Sequence, residues 1–218
     1  MIDFAAARTN MVTNQVRPNK VTDERVLAAL AAVPREHFVP EAMAGNAYVD
    51  DDIAVASGRY LMEPMVLARL LQAAAIEPDD VVLDIGCATG YSAAVLCRLA
   101  ATVVALECDE TMAETAIALL TGLKADGSAV VSGDLAAGYG DQAPYDVIVI
   151  EGAVETVPEV VIDQLVEGGR LVAVVTGGER VGKAMLIMRS QGVVLRRVLF
   201  DAAIPSLPGF ESDPVFVF

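Results

Sequence analysis

The chain predicts an α/β fold: a doubly wound, mostly parallel seven-stranded sheet with an N-terminal helical cap and an antiparallel C-terminal edge. Three observations carry this. From Ile76 onward, short apolar runs alternate with segments of helical period. Those runs are nearly continuous in Val, Ile, Leu and Ala, the pattern of strands covered on both faces. One of them, Val81–Ile85, passes directly into the glycine-containing turn Gly86-Cys87-Ala88-Thr89-Gly90-Tyr91. Such a turn sets close-packed main chain and N–H groups beside the carboxyl end of a buried strand, where open α/β sheets hold nucleotide-like ligands.

Taken in order, Val21–Ala32 has a helical apolar period, with Thr22 as the candidate cap ahead of Asp23-Glu24-Arg25. A second helix is predicted from Glu63-Pro64 to Ala75, where Pro64 stands near the start and its missing N–H costs nothing. Between them lie Val33-Pro34-Arg35-Glu36-His37-Phe38-Val39-Pro40 and a loop, 47–57, carrying Asp50, Asp51 and Asp52. Residues 1–75 are read as a helical and loop cap too short to stand alone, and residues 76–218 as the α/β domain.

In that domain Val81–Ile85 is the first strand and Ser92–Ala100 its helix. Thr102–Glu107 is the second strand and Glu110–Leu123 the next helix, capped by Asp109 or Thr111. Ala129–Ser132 is a third strand, and Tyr145–Ile150 a fourth after the turn signal Asp141-Gln142-Ala143-Pro144. Glu155–Leu165 reads as a helix ended by Glu167-Gly168-Gly169, and Arg170–Thr176 as a fifth strand. Ala184–Arg189 and Val193–Phe200, joined by Ser190-Gln191-Gly192, form a hairpin that supplies the antiparallel edge. The final run Val215-Phe216-Val217-Phe218 is expected to close a further strand.

Composition narrows the function. With 218 residues, 55% of them hydrophobic, and a mean hydropathy of +0.51, the chain can fill a substantial core. No run approaches the ~18 apolar residues of a spanning helix. Asp3 and Arg8 already interrupt the first ten positions, so a signal peptide is not supported and a cytoplasmic location is the default expectation. The formal charge of -15, from 30 acidic and 15 basic residues, repels phosphate backbones and anionic lipid, so neither nucleic acid nor membrane is expected as a partner. Cys87, Cys97 and Cys108 lack metal-ligand spacing and read as free thiols. The single histidine, His37, cannot anchor a multi-histidine site, and no metal is expected.

Two cofactor classes suit the turn after the first strand. A dinucleotide needs G-x-G-x-x-G so that its pyrophosphate can approach the helix. This chain has Gly86 and Gly90 with Ala88 between them, and Asp84 just before the turn. A carboxylate there suits an ammonium or hydroxyl group better than a phosphate, which favours S-adenosyl-L-methionine. Glu107 ends the second strand, where an acid can accept bonds from both ribose hydroxyls. Asp134, after the third strand, is positioned for the adenine amino group, and Glu151 ends the fourth strand beside the transfer site. Cys87, Tyr91, Cys108 and Leu135 flank these acids and are counted with the cofactor site. Methyl transfer from a sulfonium is an in-line displacement that needs alignment and, for some acceptors, a base.

Over almost its whole length the chain resembles the protein-L-isoaspartate O-methyltransferases. The resemblance is carried by Met11-Val12-Thr13-Asn14-Gln15-Val16, by Val26-Leu27 through Pro40, and by Ala47-Tyr48-Val49-Asp50. Leu83 to Tyr91, Tyr145-Asp146-Val147-Ile148-Val149 and Leu165 to Leu171 extend it. It implies a Rossmann-like class I methyltransferase fold, S-adenosyl-L-methionine as cofactor, and methylation of the free carboxylate of isoaspartyl residues in damaged proteins.

One segment departs. The family's Thr/Ile-Ser-x-Pro stretch, whose serine its activity needs, reads Tyr60-Leu61-Met62-Glu63-Pro64 here. A Met62 thioether cannot donate a strong hydrogen bond or relay a proton, and Glu63 adds negative charge where an anionic acceptor should sit. The acceptor pocket is assigned to Ala56, Ser57, Leu61, Met62 and Glu63, with Ser57 a substitute hydroxyl and His37 a candidate base, and no catalytic residue is named. Three hypotheses follow: repair of isoaspartyl peptides or proteins through a rearranged pocket, methylation of a different, less anionic small acceptor, or donor binding without catalysis. A monomer and a homodimer are equally compatible with the sequence.

Overall fold

The computed structural model describes residues 2–210, so the strand expected at Val215–Phe218 lies outside the described residues. Helix α1, Phe4–Asn10, begins where the Asp3 carboxylate accepts the Ala6 N–H at 3.0 Å. It continues through a wider π turn, Met11–Val16, which buries Met11, Val12 and Val16. Helix α2 spans Glu24–Ala32 and is capped by Asp23, not Thr22. The Asp23 carboxylate accepts the N–H groups of Arg25 and Val26 at 2.8 and 3.3 Å, and an ionised oxygen is the stronger acceptor. Thr22 instead gives its backbone N–H to Gln72 at 2.6 Å.

The stretch expected to be loop holds a small antiparallel hairpin, β1 (Ile53–Ala56) and β2 (Arg59–Leu61). Strands of four and three residues are too short to show a period, and the preceding run of aspartates disguised them. Helix α3, Pro64–Ala74, follows at once. The Asp52 carboxylate accepts the Glu63 N–H at 2.9 Å and Asp50 the Met65 N–H at 3.3 Å, so these acids satisfy donors at the helix start and meet its positive dipole end.

The main sheet has seven strands in the order β5-β4-β3-β6-β7-β8-β9. These are β3 (Val81–Ile85), β4 (Thr102–Glu107), β5 (Ser128–Ser132), β6 (Tyr145–Val154), β7 (Leu165–Val175), β8 (Gly182–Ser190) and β9 (Val193–Ala202). The first five are parallel; β7–β8 and β8–β9 are antiparallel, as the hairpin pattern predicts. Helices α4 (Tyr91–Leu96) and α5 (Glu110–Gly122, capped by Asp109) follow β3 and β4. The chain runs outward from β3 to β5 and returns to β6 on the other side of β3. The strand order therefore reverses between β3 and β6, and their carboxyl ends frame a crevice.

The helix expected over Glu155–Leu165 shrinks to α6, Glu159–Ile162. Strand β6 runs on to Val154, and Pro158 disfavours helix in the residue before it. Gly168 and Gly169 cap nothing; they lie inside β7, at a register shift opposite Tyr145 and Val147. Side chains alternate between two cores. Val82, Val103, Val147 and Val172 face α2, α3 and the N-terminal turns, while Leu83, Val104, Ile148 and Leu171 face the cluster of Val161, Ile162 and Leu207. Both faces are apolar because both are covered.

Helix α3 ends on Ala75 in the left-handed region (φ 47°), where a Cβ is unfavourable and glycine is the usual terminator. Ala75 is exposed, so its methyl contributes little packing. Ala75→Gly is expected to stabilise the protein by about 1 kcal/mol, read as a higher urea midpoint at unchanged slope.

Candidate active site

At Ile85 the chain leaves β3 and must turn sharply to enter α4. Gly86 (φ 82°) and Gly90 (φ 94°) supply left-handed backbone. A Cβ on Gly86 would come within 2.8 Å of Leu207 Cδ1, and one on Gly90 within 3.1 Å of Ala116 Cβ on α5, so both positions need glycine for space as well. Ala88 takes φ 50° without that freedom. The N–H groups of Gly86 and Cys87 donate to Leu106 O at 2.8 and 3.2 Å, and Gly90 N–H to Cys87 O at 2.8 Å. Ala88 N–H donates to Glu107 Oε2 at 2.8 Å. With these donors spent on protein oxygens, the turn is poorly equipped for a pyrophosphate, which disfavours the dinucleotide alternative.

Glu107 is fully buried at the end of β4. Its Oε1 also accepts the N–H groups of Cys108 (2.9 Å) and Asp109 (3.1 Å). A residue the sequence did not single out completes the group. Arg59, on β2, bridges both Glu107 oxygens, Nη2 to Oε2 at 2.7 Å and Nη1 to Oε1. Its Nη2 also reaches Gly86 O at 3.0 Å. Burial pushes the Glu107 carboxyl up, but Arg59 and the backbone donors outweigh it and hold it below the usual carboxylate range.

Asp84 and Glu151 behave in the opposite way. Asp84 is fully buried, with Oδ2 accepting from Ser92 Oγ at 2.7 Å and Oδ1 without a partner. Burial pushes its carboxyl up, and the Glu107 charge adds to this. Glu151 sits in the irregular stretch where β6 slips register against β7, between Val149 and Ala153. Its Oε1 is also without a partner; burial pushes it well up, Asp84 adds to this, and Arg35 opposes it.

Arg35 is fully buried, donating Nε to Ala47 O at 2.8 Å and Nη2 to Met62 O at 2.7 Å. Its guanidinium carbon lies 4.7 Å from the centre of the Tyr91 ring. Arg35 Nη1 and the Tyr91 hydroxyl make no well-formed hydrogen bond among the described residues, though the two groups lie close enough to influence each other's charge. Buried polar atoms without partners cost roughly 1–3 kcal/mol each, so a group of them fits a polar ligand. The ammonium and hydroxyls of S-adenosyl-L-methionine match these donors and acceptors without calling for a phosphate site.

Beside this group a small cavity is lined by Asp52, Arg59, Met62, Glu151, Ser206 and Leu207. It exists because the chain after β9 folds back over β6, where Ala153 N–H donates to Pro205 O at 2.9 Å and Leu207 N–H to Ala153 O at 2.7 Å. Of the residues assigned to the acceptor pocket, the structure brings Met62 to this cavity and leaves Glu63 adjoining it. Leu61 packs in the core. Ala56 lines a separate groove with His37, Phe38 and Thr89, and His37 is therefore not placed to act as a base here. Ser57 is exposed at the hairpin turn; the hydroxyl-bearing residues that border the cavity are Ser206 and Tyr60.

Around the expected adenine position, exposed Asp134 accepts the Ala136 N–H at 2.9 Å and caps a short turn, with Leu135 buried beneath it and Cys108 exposed nearby. Arg35 could have been found from its place in the Val-Pro-Arg-Glu stretch. Arg59 carries no such signal, because 48 residues separate it from Glu107.

Burial, reinforced by Asp52, Asp50 and Asp51, pushes the Glu63 carboxyl up to about 7 from an ordinary 4.5. Between those values the folded protein holds a proton that the unfolded chain has released, so Glu63 subtracts stability as pH rises through the window. Glu63→Gln is expected to stabilise the protein at pH 8 and to be nearly neutral at pH 4. Urea denaturation of both proteins at the two pH values checks this, and an equal effect at both would contradict it.

The family model described as "Protein-L-isoaspartate(D-aspartate) O-methyltransferase (PCMT)" matches residues 6–202. The chain is 39% identical over 198 residues to the protein-L-isoaspartate O-methyltransferase of Koribacter versatilis, covering 91% of this chain and 88% of that protein. It is 40% identical over 190 residues to that of Methylorubrum extorquens, covering 87% and 82%. Among solved structures, a protein-L-isoaspartate O-methyltransferase superposes with TM-score 0.80 at 24% identity, over 93% of this chain and 67% of the other. A Plasmodium falciparum structure in complex with S-adenosyl-L-homocysteine, provisionally assigned the same activity, superposes with TM-score 0.79 at 18% identity over 96% and 100%. These two share the Rossmann-like class I methyltransferase fold. With acids gathered at the carboxyl side of its neighbouring central strands, this chain is a methyltransferase that belongs to the protein-L-isoaspartate O-methyltransferase family.

Proposed function

We propose that the protein methylates the free carboxylate of isoaspartyl residues, with the acceptor meeting the donor beside Asp52, Met62 and Glu151. The observation that carries this reading is near-full-length similarity, about 40% identity, to curated enzymes of that name. S-adenosyl-L-methionine, when bound, supplies a methyl group on a sulfonium sulfur, which an acceptor oxygen displaces in line. Asp84, Glu151 and the Tyr91 hydroxyl offer the free polar atoms that would orient the donor. Arg35 holds the Met62 carbonyl and so sets the wall that the acceptor meets. A carboxylate acceptor is already ionised at neutral pH, so its alignment matters more than a base, which fits a pocket lacking the family's serine.

A second reading, a neutral or cationic acceptor, is favoured by one observation. The acceptor side carries Asp52 in the cavity wall and Glu63 beside it, and these carboxylates, once ionised, disfavour an incoming carboxylate. A methyl-release assay on an isoaspartyl peptide, with the aspartyl peptide as blank, separates the two. Turnover above blank is the expected result; its absence removes the first reading. The double variant Met62→Ser/Glu63→Gln is expected to raise kcat/KM for the isoaspartyl peptide by about tenfold, the worth of one good hydrogen bond to a charged group. No gain would mean that these two residues do not set acceptor choice.

A further inference from the structure

The Arg59–Glu107 pair stands where the proposed donor needs room. Glu107 is the acid expected to hold the ribose hydroxyls, but its oxygens are already taken. Oε1 accepts from Cys108 N–H, Asp109 N–H and Arg59 Nη1, and Oε2 from Ala88 N–H and Arg59 Nη2. A carboxylate offers roughly four acceptor sites, so nothing remains for two hydroxyls. The backbone donors belong to the turn after β3 and to the approach to α5, and cannot leave without undoing both. Arg59 can leave. It lies on a three-residue strand, and its other polar contacts are Gly86 O at 3.0 Å and a long approach of 3.8 Å to Cys108 Sγ.

Arg59 lines the same small cavity as Asp52, Met62 and Glu151, so the side chain, once free of Glu107, has this acidic wall beside it. Among the described residues, neither Asp52 nor Glu151 has a cation within ion-pair distance. Arg35, which eases both at longer range, is locked on the carbonyls of Ala47 and Met62. A guanidinium turned into the cavity would offset the acidic wall and present a planar fork suited to a carboxylate.

We propose that Arg59 is a specificity-determining residue that exchanges partners: it releases Glu107 to the donor ribose and turns into the cavity, where it makes the acidic wall receptive to an acceptor carboxylate. The donor half rests on the Glu107 geometry alone; the acceptor half rests on the isoaspartyl reading. The order of binding follows, donor first and acceptor second.

Calorimetry tests both halves. S-adenosylhomocysteine is titrated into the wild-type protein, Arg59→Met, which keeps the apolar stem, and Arg59→Gln, which keeps one donor group should the methionine variant fold poorly. Thermal melts establish that each variant is folded. The folded variants are expected to bind S-adenosylhomocysteine more tightly than wild type, Arg59→Met by about tenfold, because no buried ion pair must be broken. Equal or weaker binding overturns the exchange, and no binding to any of the three proteins removes the cofactor assignment and the exchange with it.

An isoaspartyl peptide is then titrated with and without saturating S-adenosylhomocysteine. It is expected to bind wild type only in the saturated state and to bind Arg59→Met at least tenfold more weakly there. Equal peptide affinity in the two proteins overturns the acceptor half. A peptide that binds neither, alongside tighter S-adenosylhomocysteine binding by the variants, removes the isoaspartyl reading and the acceptor half while the release of Glu107 stands.

Discussion

Glu107 draws together parts of the chain that nothing local would hold in place. Its carboxylate receives Ala88 N–H from the turn after β3, Cys108 and Asp109 N–H from the approach to α5, and the guanidinium of Arg59 from the hairpin. A buried carboxylate is expensive unless it is paired and hydrogen-bonded, and removing one partner of such a pair typically costs about 3–5 kcal/mol. The position of the hairpin relative to the crevice therefore depends on this anion. So does the position of the Met62 wall, because β2 leads straight into it.

The acids of the crevice fall into two kinds that composition cannot distinguish. Glu107 is saturated with donors and held ionised below the usual range. Among the described residues, Asp84 and Glu151 each keep an oxygen without a partner; burial pushes both up, with the Glu107 charge adding to it at Asp84 and the Asp84 charge at Glu151. The first kind ties elements of the fold together; the second keeps free acceptor capacity. Parallel strands side by side create the difference, since Asp84 stands opposite Ala105 and Val149 in the ladder and the acids meet at one sheet edge.

The small cavity beside the crevice is the acidic part of the site. Met62, Asp52 and Glu151 line it and Glu63 adjoins it, a thioether among carboxylates, while the sheet and both cores follow the shared fold. The acidic run Asp50-Asp51-Asp52 has a structural use, since two of its members hold N–H groups at the start of α3. Its negative field on Glu63 accompanies that capping. An acceptor must meet this charge or find it offset.

Fold class, the β3 and β4 boundaries, the Asp109 cap and the antiparallel edge were legible in the residues alone. Each expresses a local rule: apolar runs bounded by turns, a carboxylate ahead of a helix, and Gly86 and Gly90 where only positive φ serves. The places of Asp84 and Glu107 near the ends of β3 and β4 were legible for the same reason. The helix over Glu155–Leu165 and the Thr22 cap were misread where two local rules competed and the longer strand or the stronger acceptor prevailed. The partner of Glu107, the approach of Ser206 to the cavity and the covering of the crevice by Leu207 were decided only by tertiary structure. Arg59 and Ser206 reach their places through contacts with residues some fifty positions away, and no spacing within a single stretch of chain records a meeting that exists only once the sheet has closed.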